Sequence, residues 1–153
     1  MQLSTLRVKG GIAGTCVELR EQVVTHSVQL RFSDIDSMGH VNNSRYLSFL
    51  EDSRIALLHQ IAAEGPKSLI GLILARVEID YIKPVLLNDE PVEVDVWVSG
   101  IGSKSFTLGS VIRQGDAVAA KANAVLVAFD YETQTSRALT DEERQALATR
   151  LSD

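Results

Sequence analysis

The segment from Phe32 to Tyr46, FSDIDSMGHVNNSRY, gathers two aspartates, a Gly39-His40 pair and an Asn42-Asn43 pair directly ahead of a strongly apolar stretch. A carboxylate can serve as a general base or as a nucleophile. The first turn of a helix presents backbone N–H groups with no partner of their own. A carboxylate beside a helix start therefore supplies two parts of a hydrolysis at a carbonyl: a group that drives attack, and donors for the oxyanion that forms. The same residues also have plain structural uses. Asp34 and Asp36 can bond local N–H groups in turns, Asn42 or Asn43 can cap the helix, and His40 can bond loop backbone or move a proton near neutral pH. Gly39 suits a turn that brings backbone close to a ligand.

The elements around this loop follow from hydrophobic period. Val23 to Phe32 alternates, with Val24, His26, Val28, Leu30 and Phe32 on one face, and reads as a half-buried strand. Ser44 to about Ala63 is helical: Leu47, Leu50, Arg54, Leu57, Leu58 and Ile61 follow helical spacing, while Tyr46, Phe49, Ile55 and Ala56 widen the apolar surface, so the helix should be covered on most sides. Gly65-Pro66 ends it. Four strands follow, Leu69 to Lys83, Val92 to Val98, about Ser105 to Arg113 and about Val118 to Phe129, the last three joined by turns at Gly102-Ser103-Lys104 and Gln114-Gly115-Asp116. Thr140-Asp141-Glu142-Glu143 is a capping box that opens a short C-terminal helix, expected to be peripheral. Strand, long helix and four consecutive strands give an α+β fold, one antiparallel five-stranded sheet wrapped around one long central helix. One helix cannot fill the concavity of five strands, so self-association is expected, a homodimer at least and a dimer of dimers at most.

With 153 residues, 45% of them hydrophobic and 23% charged, the chain fits a single domain at 21–153 after an N-terminal extension, 1–20, of uncertain structure. Its net charge of −5 argues against a broad footprint for nucleic acid or anionic membrane. The single cysteine, Cys16, has no partner for a disulfide or a metal cluster, which points to a reducing, cytoplasmic setting. The N-terminus, MQLSTLRVKGGIAGTC, lacks a continuous apolar core of signal-peptide length, and no stretch approaches the length of a membrane span. Neither His26 nor His59 belongs to a metal-binding spacing; Glu51, two turns beyond Asn43, could line the site from one subunit, and a pair with Arg54 at i+3 is an equally simple account that keeps it out of the catalytic set.

From about Val23 to Phe129 the chain resembles the hotdog-fold acyl-CoA thioesterases, of the 4-hydroxybenzoyl-CoA thioesterase type. The resemblance rests on Arg31 to Asn43 with Tyr46 and Glu51, and on Asp80-Tyr81-Ile82-Lys83-Pro84 before an acidic turn. It implies hydrolysis of an acyl-CoA thioester with Asp36 as the catalytic carboxylate, either as general base on water or as nucleophile. It further implies that the Asn43 backbone N–H polarises the thioester carbonyl, that His40 assists, and that Gly39, Val41, Asn42 and Tyr46 contact substrate. Lys104 and Ser105 stand where relatives often meet the CoA phosphates. No metal and no cofactor is implied beyond the CoA of the substrate. The run His40-Val41-Asn42-Asn43 also resembles the plant acyl-ACP thioesterases, so an acyl carrier protein is the alternative carrier. Hotdog hydratases carry Asp-x-Asn-x-x-His, whereas this chain has Met38 at the asparagine position and His40 one residue early. A non-catalytic acyl-CoA binding module is the remaining alternative, and Asp36 weighs against it.

Overall fold

In the computed structural model, which describes residues 22–65, 69 and 71–152, six strands and two helices follow in the order β1 (Val24–Val28), α1 (Asn43–Glu64), β2 (Leu72–Tyr81), β3 (Val92–Ile101), β4 (Ser105–Gln114), β5 (Ala117–Asp130), β6 (Thr135–Ser136) and α2 (Asp141–Ala148). The expected N-terminal extension, with Cys16, and Pro66 lie outside the described residues.

The sheet order is β1-β3-β4-β5-β2, antiparallel throughout, with the two-residue β6 added beside β5. The tight turns expected after β3 and β4 make those neighbours adjacent in space. The long connection behaves differently: α1 carries the chain from the β1 edge across the concave face to the opposite edge, where β2 pairs with β5. This is the hotdog arrangement of one sheet curled over one helix.

Pleating decides what α1 meets. Val92, Val94, Val96 and Val98 of β3 are all buried, with Glu93 and Ser99 exposed on the other face. On β4, Phe106, Leu108 and Ile112 point inward, but β5 presents Ala120, Ala122, Ala124 and Ala128 with only Leu126 as a large residue. Two apolar clusters result. One joins Leu57 and Ile61 of α1 to Val96, Val98, Phe106 and Leu126. The other joins Tyr46, Phe49 and Leu50 to Val92, Val94, Ile112 and the small residues of β5. α1 packs against β1 and β3, and its other flank is open: Leu47 and Ile55 are 45% and 43% exposed. Within one chain, the cover expected on most sides of the helix is missing along that flank.

Two boundaries and one placement differ from the sequence-based expectation. β1 ends at Val28, and Phe32–Asp34 forms a 3-10 turn in which Phe32 is 84% exposed rather than on the buried face. β2 spans Leu72–Tyr81 rather than Leu69 to Lys83, with a bulge at Ala75. α2 is not peripheral, because Leu139, Ala146 and Leu147 join the cluster around Leu57. The capping box forms as expected: Thr140 Oγ1 accepts from the Glu143 N–H at 3.1 Å and Glu143 Oε2 accepts from the Thr140 N–H at 2.9 Å. Glu143 is also bound by Arg137, and although burial raises its carboxyl pKa, the Arg137 guanidinium and the Thr140 N–H bring it below the ordinary range.

On the convex face, the Trp97 indole lies against Gly109, its cross-strand partner, where an added Cβ would sit 2.6 Å from two indole carbons. Gly109→Ala is therefore expected to lower stability by about 1–3 kcal/mol through overpacking. Gly100→Ala, where a Cβ meets nothing within 4 Å, should change it by no more than about 0.5 kcal/mol. Urea unfolding midpoints of the two variants check this.

Candidate active site

The loop between β1 and α1 folds on its own hydrogen bonds. Ile35 and Val41 form an isolated antiparallel bridge, the Asp36 N–H donates to the His40 carbonyl at 2.9 Å, and the Gly39 N–H donates to the Asp36 carbonyl at 3.1 Å. Gly39 has φ +81°, a left-handed conformation that glycine adopts without strain, and an added Cβ there would meet nothing within 4 Å. The left-handed turn by itself favours glycine at 39. The Asp36 side chain closes an Asx turn, its Oδ1 accepting from the Met38 N–H at 2.9 Å. Its Oδ2 has no protein partner among the described residues.

Asp34 is the other kind of aspartate. It is 1% exposed, and its carboxylate accepts from the Arg31 N–H at 2.8 Å and pairs with the Arg31 and Arg45 guanidinium groups at 3.3 Å each. Burial raises its pKa, but the Arg31 N–H and the two positive charges outweigh that and hold it below the ordinary carboxylate value. Its backbone carbonyl accepts from the Asn42 N–H at 2.8 Å. Asp34 thus secures the approach to the helix, in line with a structural reading.

At the start of α1, Asn42 is the N-cap: its Oδ1 accepts from the Ser44 N–H at 2.9 Å, and its carbonyl accepts from the Arg45 N–H at 2.8 Å. The N–H of Asn43, the first helical residue, has no acceptor among the described residues. Helical N–H groups point back along the axis toward the preceding chain, here the Asp36–Asn42 loop.

A cleft of about 490 Å³ lies at this end of the sheet. Asp36, His40, Val41, Asn42, Asn43 and Tyr46 all line it. Its facing wall is Tyr81, Ile82, Lys83 and Pro84, at the end of β2, and the Val41 N–H ties the two walls by donating to the Val85 carbonyl at 2.9 Å. The two motifs that carry the resemblance thus meet across one space. Tyr46 is buried, and desolvation raises its hydroxyl pKa. Tyr81 stands edge-on to it, with ring centroids 5.0 Å apart. Tyr81, Ile82 and Lys83 are lining residues that the sequence reading did not assign; the motif containing them was visible, but which side chains turn toward the loop depends on β2 lying across from α1. Lys104 and Ser105 are elsewhere in the chain. Ser105 begins β4 and Lys104 lies in the turn just before it, level with Ile73 at the other end of β2, since Ser105 and Ile73 both pair with Val127. That is the length of β2 from the cleft, on the order of 25–30 Å at strand spacing. Among the described residues, no group of three or more His, Cys, Asp or Glu is arranged to hold a metal ion, and no helix is long and apolar enough to cross a membrane.

Residues 30–148 match the model of the Thioesterase-like superfamily. The chain is 30% identical to the long-chain acyl-CoA thioesterase FadM of Escherichia coli over 78% of its length and 93% of that protein. It is 32% identical to a thioesterase from Thermus thermophilus complexed with coenzyme A and Zn, covering 84% of this chain and 94% of that one with a TM-score of 0.74. A predicted thioesterase from Bacillus stearothermophilus gives a TM-score of 0.76 at 26% identity, covering 85% and 97%.

The Asp34 cluster can be tested by its pH dependence. Asp34→Ala should cost about 2–3 kcal/mol at neutral pH, because it leaves the Arg31 N–H unpaired and removes a doubly bridged carboxylate. A depressed carboxyl pKa contributes stability that is complete above the unfolded value near 3.8 and is lost as pH falls through the lower folded value. The stability gap between wild type and variant, measured by urea unfolding, should therefore hold from pH 7 to pH 5 and narrow only below about pH 3.8.

Proposed function

We propose that this chain, which belongs to the thioesterase-like superfamily and is a thioester hydrolase, cleaves acyl-CoA to a carboxylic acid and free CoA with the Asp36 carboxylate carrying the chemistry. The observation that carries this reading is that the free Oδ2 of Asp36 and the unpartnered N–H of Asn43 belong to one cleft. FadM, a long-chain acyl-CoA thioesterase, and the coenzyme A complex of the Thermus thermophilus enzyme support CoA as the carrier.

In the proposed reaction the thioester carbonyl oxygen accepts from the Asn43 N–H, and the growing oxyanion is stabilised by that donor and by the positive end of α1. Asp36 Oδ2 takes a proton from the attacking water, or attacks the carbonyl itself and is released from the anhydride by water. Either way the carbon–sulfur bond breaks, the thiolate leaves as CoA once protonated, and one water is consumed. The Met38 N–H keeps Asp36 Oδ1 occupied, so that the oxygen aimed at chemistry is the other one. His40, which lines the cleft without a side-chain partner among the described residues, is the group we assign to proton transfer near the leaving sulfur. Gly39 sets the turn, while Val41, Asn42 and Tyr46 form the binding wall. One aspartate and a helix start make the arrangement akin to the 4-hydroxybenzoyl-CoA thioesterase type. The reaction calls on no metal or cofactor.

We further propose that the working form is a homodimer joined along β2. β2 is an edge strand, and beside it Leu47, Leu50, Leu74, Val77 and Ala124 line a groove of about 230 Å³ on the open flank of α1. Antiparallel pairing of two β2 edges would cover that flank and bring the Tyr81 end of one copy against the Leu72 end of the other. The other copy's Lys104 and Ser105 lie at the start of β4 at that end, so in the dimer they become the candidate CoA-phosphate contacts for this cleft.

Free-thiol release from acetyl-, palmitoyl- and 4-hydroxybenzoyl-CoA tests the assignment. Asp36→Asn keeps an oxygen for the Met38 N–H, so its fold should be preserved, yet turnover should fall by about 10²–10⁴, as it should for Asp36→Ala. Unchanged turnover in both variants would remove Asp36 from the mechanism. Tight binding of acyl-CoA with no hydrolysis by the wild type would make the chain a binding module instead, and hydrolysis of acyl-ACP alone would change the carrier.

A further inference from the structure

The last residue of β2 makes a side-chain hydrogen bond and a ring contact with the start of α1. Tyr81 donates its hydroxyl to the Asn43 carbonyl at 3.2 Å, and its ring stands edge-on to Tyr46, one helical turn further on, at 82° between planes. Both contacts cross a separation of more than thirty residues, and they grip the helix at the residue whose N–H is unpartnered. No other side-chain hydrogen bond among the described residues joins β2 to α1. Within the single chain Tyr81 is 47% exposed and Ile82 beside it 50% exposed.

We infer that Tyr81 is a positioning residue for the reaction: by holding the Asn43 carbonyl it fixes the first peptide units of α1, and with them the direction of the Asn43 N–H that meets the thioester oxygen. The inference rests on the role proposed above for that N–H. A helix terminus is the part of a helix that frays first, because its end groups lack intrahelical bonds. The Asn42 cap restrains it from the loop side, and Tyr81 restrains it from the sheet. An oxyanion donor must be directed at the position the oxygen reaches in the transition state, so a small loss of order there is felt in the chemical step more than in binding.

The test is Tyr81→Phe in the full-length protein, which removes only the hydroxyl and keeps the ring on Tyr46. With palmitoyl-CoA and 4-hydroxybenzoyl-CoA as probes, kcat should fall by about five- to tenfold, the value of one hydrogen bond. KM should stay within about twofold and the pH–rate profile should keep its shape, because the Asp36 and His40 side chains assigned to proton transfer are untouched. A thermal midpoint matching wild type accompanies this result; a merely structural tyrosine would lower the midpoint and leave kcat unchanged. Turnover equal to wild type in Tyr81→Phe, beside an inactive Asp36→Ala, overturns this inference alone. A rise in KM with kcat intact overturns it too, by making Tyr81 a substrate contact. Full turnover in Asp36→Ala overturns the reading of the site, and this inference with it.

Discussion

A helix that begins beside a sheet cannot satisfy the N–H groups of its own first turn, and the surroundings of α1 are organised by that constraint. The Asn42 carbonyl and side chain take two of these donors, from Arg45 and Ser44, and the Asp34 carbonyl takes the Asn42 N–H. Asp34 can do so only because its carboxylate is held by the Arg31 N–H and by the Arg31 and Arg45 side chains, which makes its burial tolerable. One donor is left over, that of Asn43, and it opens on the cleft where Asp36 stands. The electrostatic requirement of the helix and the layout of the site are the same set of bonds.

The sheet beneath is uneven, and its unevenness decides where there is room. Valines on β3 and large residues on β4 fill the space under α1, whereas β5 offers mostly alanines. The aromatic residues Tyr46 and Phe49 descend toward those alanines, so bulk on the helix answers smallness on the strand. α1 settles over β1 and β3, and a separate groove, lined by Leu47, Leu50, Glu51, Arg54, Leu74 and Val77 among others, lies between it and β2.

Much of this was legible in the sequence, for identifiable reasons. The Val92–Val98 alternation and the Thr140 capping box are local patterns, and local patterns survive into the structure. The polar loop was legible because its chemistry resides in residue types, and six of the residues it suggested do line one cleft. Period-2 alternation carried β1 too far, since Leu30 and Phe32 continue the pattern while the bond from the Arg31 N–H to Asp34 turns the chain away. Tyr81 reads from sequence as the last inward residue of a strand; its contact with Asn43 depends on β2 returning to the sheet edge opposite β1. The docking of α2 was hidden because Ala146 and Leu147 make a small apolar face whose burial depends on the gap beside Leu57 and Leu139.

The Asx turn that holds Asp36 has a consequence for how this site can vary. Met38 contributes its backbone N–H while the residue is 78% exposed, and the role proposed for Asn43 likewise falls to its N–H. Positions 38 and 43 can therefore drift in side chain with little effect on geometry, and the residue both must avoid is proline, which has no N–H to give. Much of the information that specifies the site is written in the main chain, where side-chain identity leaves little trace, so distant members of such a family can share the geometry while sharing few residues.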